Sequence, residues 1–413
     1  MGEVTVSMYN VGFGDCFLLR IPADGGERKV LVDCGSIKRG SAGSIDDVVE
    51  RIIADVDDGS GPSIDVVVIT HRHRDHVSGF ASELWRRVAV SEVWLPWTED
   101  PDDPIARDIL QTMASFADSL RVDRDAGRFA AMSAAETELV DHVIENTLAL
   151  SNEAAMSTVH RGFAGGSSGA TRRFLERRPG MLDTSEVLPG VKVHVLGPSR
   201  DEDVIRDMNP PSGESFLHVA DGGGPDLDTS DLLPFEPIPA PGPGLLQMGV
   251  EERLREIARR SLLMGAVALE SAVNNTSLML VFEIGEAVLL FPGDAQWGTW
   301  KVNLDDDVRR DLLARTTFYK VGHHGSHNAT PVRFVDDVLN ADGRDDVWAA
   351  ISVTRHGRFT KIPKDELLDE LSTRIANPDR LVRSDRPPSP APPPMSVIPG
   401  RSGVIRYDFT LSA

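Results

Sequence analysis

Two clusters of histidine residues carry the clearest chemical signal in this sequence. The segment ITHRHRDH, residues 69–76, contains His71, His73, Asp75 and His76, and the segment HHGSH, residues 323–327, contains His323, His324 and His327. The two interleaved arginines leave three interpretations of the first cluster open: a solvated polar turn, a basic loop that contacts nucleic acid, or a metal site. Imidazole and carboxylate together suit zinc, manganese or iron, so this density of both groups favours the metal site.

The position of each cluster supports this interpretation. Residues 64–70, IDVVVIT, form a continuous β-branched run, which is typical of a strand buried on both faces. The second cluster follows a predicted strand at residues 316–321. Because strand ends in α/β sheets line one crevice, the two clusters can converge although they lie far apart in the chain. Asp294 ends another apolar strand, LLFPGD, where a carboxylate can bridge two metal ions.

The order of the apolar runs predicts an α/β layered fold. Alternating or fully apolar runs predict strands at residues 3–9, 15–21, 28–33, 64–70, 91–96, 191–199, 276–294 (two strands joined at Gly285), 316–321, 347–354 and 402–412. Helical spacing predicts helices at residues 45–56, about 78–88 and 364–372.

Three segments interrupt this pattern within what we predict to be a single domain, residues 1–413. Residues 100–186 are predicted to be a helical insertion, because 106–122 and 134–155 have helical periodicity with polar faces. Residues 200–271 are predicted to be a Gly/Pro-rich loop followed by a helix at 251–269. Residues 384–403 contain RPPSPAPPP, which predicts a Pro-rich extended connector to the last strand.

The acidic composition limits the partners. The net charge is −21, so a long polyanion should be repelled except at a local basic patch. A phosphate-containing substrate must therefore be small or recognised locally. The basic segments at residues 171–178 and 355–361 could guide a short strand, although each is an ordinary set of helix or loop charges by default.

Location and redox state follow from the same composition. No apolar run is long enough to span a membrane, and the first residues lack the features of a signal peptide, which together predict a cytoplasmic protein without a membrane partner. Cys16 and Cys34 are the only cysteines, too few for a disulfide framework. We expect them to be small buried residues in neighbouring strands.

The histidine motifs resemble those of the metallo-β-lactamase superfamily, whose signature is His-x-His-x-Asp-His after a strand. Among its members, the sequence is most similar to the hydrolase domain of the ComEC DNA-uptake protein and its free-standing relatives. Four further stretches carry this resemblance: NVGFGDCFLL (10–19), VLVDCG (30–35), NNTSLMLVFEIGEAVLLFPGD (274–294) and YKVGHHGS (319–326). It covers residues 3–100, 187–199 and 272–370.

The resemblance implies an αββα metallo-β-lactamase sandwich, with the helical and loop insertions added, and two divalent metal ions, zinc or manganese, at one sheet edge. The implied metal ligands are His71 and His73 for the first ion, Asp75, His76 and either His323 or His324 for the second, and Asp294 between them. We favour His324 as the ligand. The implied catalytic residues are Asp75, His323 and Lys320, and the implied supporting or substrate-contacting residues are Asp15, Asp33, Ser326 and His327. Lys320 and Ser326 are the expected phosphate contacts.

Two departures from the family pattern stand out. Many lactamase-fold enzymes place a further histidine before the Gly-Asp strand, where this chain has Asn274 and Asn275. Either asparagine could be a weak ligand or a substrate contact. The branch usually has a Gly-His-Pro segment where this chain has Ile362 before Pro363.

Three functions remain open at this point. The first is a phosphodiesterase or nuclease that uses a hydroxide activated by two metals, acting on a nucleotide or a short nucleic acid. The second is hydrolysis of a carboxylic ester, lactone, amide or thioester at the same site, since a fold does not determine a reaction. The third is an inert binding or scaffold module that recruits a protein partner through its helical insertion.

Overall fold

The computed structural model describes residues 2–40, 42–127, 149–164, 169–216, 273–326, 328–354 and 362–413. The strands are β1 (Glu3–Tyr9), β2 (Cys16–Ala23), β3 (Gly26–Cys34), β4 (Ser63–Val68), β5 (Ala89–Pro96), β6 (Thr171–Leu175), β7 (Met181–Leu182), β8 (Lys192–Gly197), β9 (Met279–Ile284), β10 (Ala287–Phe291), β11 (Phe318–Lys320), β12 (Trp348–Ile351), β13 (Leu381–Arg383), β14 (Ser396–Pro399) and β15 (Ile405–Ser412). The α-helices are α1 (Ile45–Val56), α2 (Arg74–Val77), α3 (Pro104–Asp125), α4 (Ala149–Arg161), α5 (Glu202–Arg206), α6 (Trp297–Leu304), α7 (Asp307–Ala314) and α8 (Asp365–Arg374).

The described strands lie in two mixed sheets of similar design. The first has the order β14-β15-β1-β2-β3-β4-β5-β6, and the second has the order β13-β12-β11-β10-β9-β8-β7. In each sheet one half is antiparallel and the other half is parallel, with the change at β3 in the first sheet and at β10 in the second. The parallel strands β4, β10 and β11 lead into the polar loops that the sequence singled out.

Apolar side chains hold the two sheets face to face. Phe17 and Trp94 of the first sheet pack against Phe282 and Phe291 of the second in one continuous core. Trp94 and Phe282 stack with ring centroids 6.4 Å apart. Large aromatic side chains of this kind contribute much of the burial energy of a core.

Helices cover the outer face of each sheet. On the first sheet, α1 and α4 bury residues such as Ile52 and Val159 against β2 to β5. On the second sheet, α6, α7 and α8 bury residues such as Trp300, Leu313 and Leu367. The layers therefore run helix, sheet, sheet, helix, and the predicted αββα fold class is confirmed.

Helix α1 shows why the sequence encodes these elements locally. The Ser44 side chain accepts a hydrogen bond from Asp47 N, and the Asp47 side chain accepts one from Ser44 N, which forms a capping box. Such a cap stabilises a helix by about 1 kcal/mol. The apolar residues Val48, Val49, Ile52, Ile53 and Val56 then fall on one buried face. The predicted helix at residues 45–56 is confirmed.

Other sequence predictions need correction. The helix predicted at about 78–88 is wrong: two 3₁₀ helices, Ser78–Ala81 and Glu83–Arg87, occupy this segment. Ser82 ends the first turn and caps the second by accepting from Leu84 N. Gly79 also packs so closely on Cys34 that an added Cβ would lie 2.5 Å from its Sγ.

The basic segment 171–178 is also not a plain helix or loop, because Thr171–Leu175 pairs with β5 as strand β6. The end of the predicted helical insertion therefore belongs to a sheet. Cys16 and Cys34 face each other in β2 and β3 as buried free thiols, as predicted. The helix predicted at 251–269, most of the one at 134–155, and residues 355–361 lie outside the described residues. None of the described helices has the length and apolar character needed to cross a membrane.

Candidate metal centre

The structure brings the two histidine clusters together between the sheets. The first cluster leaves β4 and runs into α2, and the second follows β11. His324 Nε2 lies 2.9 Å from Asp75 Oδ2, although 249 positions separate the two residues. Asp294, just after β10, reaches the same place, with its Oδ2 3.2 Å from His76 Nε2.

Four buried residues form the centre of this cluster. Asp75, His76, Asp294 and His324 each offer one ligand atom, and these atoms all lie within 4.8 Å of one another. We refer to these four residues as the central ligand group. Asp75 and His76 of the first cluster and Asp294 of the Gly-Asp motif were predicted as ligands, and His324 was the favoured member of its pair.

His71 and His73 lie beside the central ligand group. His71 Nε2 is 3.0 Å from His73 Nδ1 and 3.9 Å from Asp294 Oδ2. Both rings are buried. Asp294 therefore lies between this histidine pair and His76, which is the place that a bridging carboxylate would occupy.

The backbone decides which histidine of the second cluster enters the site. His323 and His324 both have left-handed backbone angles, with φ of 46° and 54°. Such conformations cost on the order of 1–3 kcal/mol each in residues other than glycine. His323 N donates to Asp294 Oδ1 at 3.1 Å, which helps to hold the turn. The turn directs the His324 ring into the centre and leaves His323 with a side chain 19% exposed.

Two glycines allow the surrounding loops to approach one another. A Cβ on Gly35 would lie 2.4 Å from the carbonyl carbon of Asp75, and a Cβ on Gly14 would lie 2.2 Å from Gly35 O. Asp15 N donates to Asp75 O across the same contact at 2.9 Å. The VGxGD motif (residues 11–15) and the DxG motif (residues 33–35) therefore pack directly against residues 71–76, which we call the metal-binding loop.

Hydrogen bonds fix the ring of His76. His76 Nδ1 lies 2.8 Å from Asp33 Oδ2, which leaves Nε2 directed at Asp294. Thr70 holds Asp33 in turn, because Thr70 N and Oγ1 donate to its two carboxylate oxygens at 2.8 and 2.6 Å. A carboxylate on the far nitrogen orients a ligand imidazole and increases its basicity.

The His324 ring is held from the backbone. His324 Nδ1 lies 2.8 Å from Ser352 O, so it donates there and presents Nε2 to Asp75. Ser352 Oγ also donates to Gly14 O at 2.5 Å. The ring orientation is therefore tied to the loop after β12 and to the VGxGD loop.

The pKa values of His71 and His76 are shifted in opposite directions. Burial, together with the neighbouring His76 and His73, lowers the pKa of His71 well below its usual value, so this ring is neutral. Burial also disfavours charge on His76, but Asp294, Asp75 and Asp33 outweigh it and raise its pKa. Metal ligands must be deprotonated, so binding here releases protons and weakens as the pH falls.

The two carboxylates of the central ligand group are ionised. Burial alone would raise the pKa of Asp75, but His76 and His324 outweigh it and hold the pKa far below its usual value. For Asp294, His76, His323 and Lys320 likewise outweigh burial and lower the pKa. Both groups therefore offer anionic oxygens to a cation.

Lys320 occupies a different place from the one that the resemblance implies. Its side chain is only 3% exposed, and its ammonium pairs with Asp15 and lies 3.5 Å from Asp294 Oδ1. Lys320 Nζ also donates to Gly293 O at 3.2 Å. This lysine therefore stands behind the carboxylates, where it balances their charge, and the expected phosphate contact is corrected on this geometry.

The two asparagines have different environments. Asn275 uses its whole amide: Nδ2 donates to Val204 O and Ile205 O, and Oδ1 accepts from Gln296 N and from Thr299 Oγ1. It has no donor or acceptor left for a metal ion or a substrate, which corrects that interpretation. Asn274 Oδ1, in contrast, is buried without a hydrogen-bond partner.

The remaining predicted residues are placed as follows. Ser326 is buried, and its backbone N–H donates to His323 O. Asp15 pairs with Lys320, with its Oδ1 3.7 Å from His324 Nδ1. His327 lies outside the described residues.

Sequence reasoning missed two side chains of the site, Thr70 and Gln296. Thr70 Oγ1 lies within hydrogen-bond distance of Asp33, His71 and His76. Its position directly before the histidine motif could have identified it. Arg72, in contrast, was expected to be a spacer between the ligands, and its guanidinium pairs with Glu99. Gln296 is buried with neither amide atom hydrogen-bonded, two residues after Asp294, and no sequence pattern marked it.

The donor set fits divalent metal ions. Asp75 Oδ1 is a buried carboxylate oxygen without a hydrogen-bond partner. An uncompensated buried acceptor is costly, and a cation would satisfy it. Imidazole nitrogens and carboxylate oxygens in this proportion suit zinc or manganese.

Comparison with known proteins adds little to this geometry. No protein-family model matches the chain, and no curated protein matches it in sequence. Among solved structures, the crystal structure of the metallo-β-lactamase fold protein YhfI from Bacillus subtilis is similar with a TM-score of 0.38 and 8% sequence identity, over 94% of this chain and 98% of that chain. A likeness at this level carries no argument, so the contacts given above carry the interpretation of the site.

The Asp33–His76 hydrogen bond gives a direct test of metal binding. We expect Asp33→Asn to weaken metal affinity by about 10–100-fold, the usual cost of losing the partner of a ligand histidine. Competition with a chelator of known affinity measures this change. Asp65→Asn is the matched control, because Asp65 on β4 pairs with Arg28 on β3 and does not contact a candidate metal ligand. Equal metal affinity in both variants would show that Asp33 does not support a metal ligand.

Proposed function

We propose that this protein is a metal-dependent hydrolase of phosphodiesters, with a nucleotide or a short nucleic acid as substrate. The observation that carries the proposal is the central ligand group, whose ligand atoms lie within 4.8 Å of one another in a buried site. The similarity of the HHGS segment to the ComEC-type branch, which includes nucleases, supports a phosphodiester as the bond. The net charge of −21 favours a small substrate over long DNA.

Each candidate ligand has a place in this proposal. His71 and His73 would hold one ion, and Asp75, His76 and His324 would hold the other. Asp294 lies between the two sets. Bound divalent ions lower the pKa of water and offset charge on the reacting oxygens.

His323 is the proposed proton donor. Its ring is partly exposed, whereas the ligand rings are buried. Its Nδ1 lies 3.3 Å from Asn328 Oδ1 and its Nε2 lies 3.9 Å from Asp294 Oδ2, so the ring stands at the edge of the centre. A histidine in this position can donate a proton to a leaving oxygen.

Lys320 and Asp15 act indirectly in this proposal. Their buried ion pair fixes the charge behind Asp294 and keeps that carboxylate oriented. Oriented groups around ligands maintain the geometry on which metal catalysis depends. Lys320 is therefore a positioning residue.

A substrate panel tests the proposal. The purified protein is assayed for zinc and manganese by elemental analysis, then stripped with a chelator and reloaded with each metal. We expect metal-dependent hydrolysis of bis-p-nitrophenyl phosphate, of a cyclic nucleotide or of a short single strand. Lactones, lactams, carboxylic esters and thioesters are the matched comparison.

Two results would contradict it. Turnover of the lactone or ester panel without phosphodiester cleavage would assign the site to the second class of hydrolase. A metal content near zero that added metal does not restore, together with biological activity unchanged in His71→Ala, would favour a binding or scaffold module.

A further inference from the structure

A cavity of about 290 Å³ lies beside the metal-binding loop and outside the groups described above. Its walls are Arg72 on one side and six residues of helix α4 on the other. Arg72 stands in the chain between the candidate ligands His71 and His73. The cavity and the metal centre therefore share one short stretch of backbone.

Hydrogen bonds fix the two walls relative to each other. Asn152 Nδ2 donates to Arg72 O at 2.8 Å, which joins helix α4 to the metal-binding loop. The Arg72 guanidinium donates to both carboxylate oxygens of Glu99 at 2.8 Å. A bidentate pair of this kind holds the planar fork in one orientation at the wall of the cavity.

The charges of the cavity lining and of Glu99, which pairs with Arg72 next to the lining, balance. Glu99 neutralises Arg72, and the exposed side chains of Glu153 and Arg161 have opposite signs. Burial lowers the pKa of His160, so the ring is neutral at neutral pH. Such a site does not select for a phosphate, which needs a net positive environment.

The remaining lining suits an uncharged heterocycle. Met156 supplies a buried, polarisable apolar surface, and Ser157 and His160 supply hydrogen-bonding groups. Proteins read unstacked bases by stacking on aromatic rings or guanidinium planes and by hydrogen bonds to the base edges. The volume lies at the small end of the range for ligand sites, about 300–1,000 Å³, which suits a single nucleoside.

We propose that this cavity binds the nucleobase of a nucleotide whose phosphodiester lies at the metal centre. This inference rests on the proposed function, because it assigns the base recognition of that same substrate. It gives helix α4, one of the described elements of the helical insertion, a role in specificity.

A substitution that fills the cavity tests the proposal. Ser157→Trp places an indole in the cavity. We expect it to raise the KM of a dinucleoside monophosphate by about tenfold more than that of bis-p-nitrophenyl phosphate, which has no base. Ala154→Trp is the matched control, because Ala154 is exposed on the same helix and does not line the cavity. A KM ratio that is the same in both variants would overturn the proposal.

Direct binding separates this proposal from the proposed function. Calorimetry with adenosine, guanosine, cytidine and uridine needs no catalysis, and we expect binding to the wild-type protein that Ser157→Trp removes. Nucleoside binding without any phosphodiester hydrolysis would overturn the proposed function and support a base site. Hydrolysis of phosphodiesters without nucleoside binding, and with no effect of Ser157→Trp, would overturn the base site alone.

Discussion

Asp294→Asn is expected to remove most of the proposed phosphodiesterase activity and to release bound metal. Asp294 lies between His71 and His76, with its Oδ2 3.9 and 3.2 Å from their Nε2 atoms, so one charge serves both halves of the centre. Losing one preorganised group that stabilises transition-state charge costs about 10²–10³ in kcat, and loss of a shared ligand should cost at least that much. The measurements are kcat on bis-p-nitrophenyl phosphate and metal content by elemental analysis.

The design of this experiment separates chemistry from folding. Asparagine has nearly the volume of aspartate, so the substitution removes charge without leaving a cavity. Asp311→Asn changes an exposed aspartate in helix α7 and should leave both readouts at the wild-type level. An Asp294→Asn protein with full metal content and full activity would show that this carboxylate does not bind metal.

The sequence predicts the parts of this site that depend on strand ends. The apolar runs before His71, Asp294 and His323 identify β4, β10 and β11 as buried strands, and the ends of buried strands meet in α/β folds. The convergence of these residues therefore follows from hydrophobic pattern and topology. The apolar pattern alone predicts only an α/β layered fold, and the order of the four layers came from the family resemblance.

The sequence cannot predict the details that depend on backbone angles. His323 and His324 are adjacent and chemically identical, and only their left-handed turn directs one ring inward and the other towards solvent. Propensity disfavours this conformation for both residues, so a local rule would not choose it. Hydrogen bonds from distant residues, such as that between His324 and Ser352 O, stabilise the turn.

The sequence also does not determine whether a polar residue at a strand end is exposed or buried. A lysine after an apolar strand can reach solvent or a buried carboxylate, and the pattern around Lys320 is the same in both cases. Its partner Asp15 lies in the VGxGD loop near the start of the chain. Only the packing of the two sheets shows that the ammonium and this carboxylate meet.

The buried ion pair of Lys320 and Asp15 should contribute strongly to the stability of the protein. Burial alone would lower the pKa of the Lys320 ammonium, but Asp15 and Asp294 outweigh it and raise the pKa above its usual value. The ammonium is therefore charged at neutral pH. Lys320→Met would leave the buried carboxylate of Asp15 without its cation, and we expect the free energy of unfolding of metal-free protein to fall by about 3–5 kcal/mol.

Urea unfolding measures this change, and two further variants show its cause. Lys301→Met removes a lysine whose side chain is 48% exposed and paired with Asp207, so it should cost no more than about 1 kcal/mol. Adding Asp15→Asn to Lys320→Met should restore part of the lost stability, because it removes the uncompensated charge. If Lys320→Met instead kept wild-type stability and raised only the KM of a phosphodiester, the lysine would be the substrate contact that the family resemblance implies.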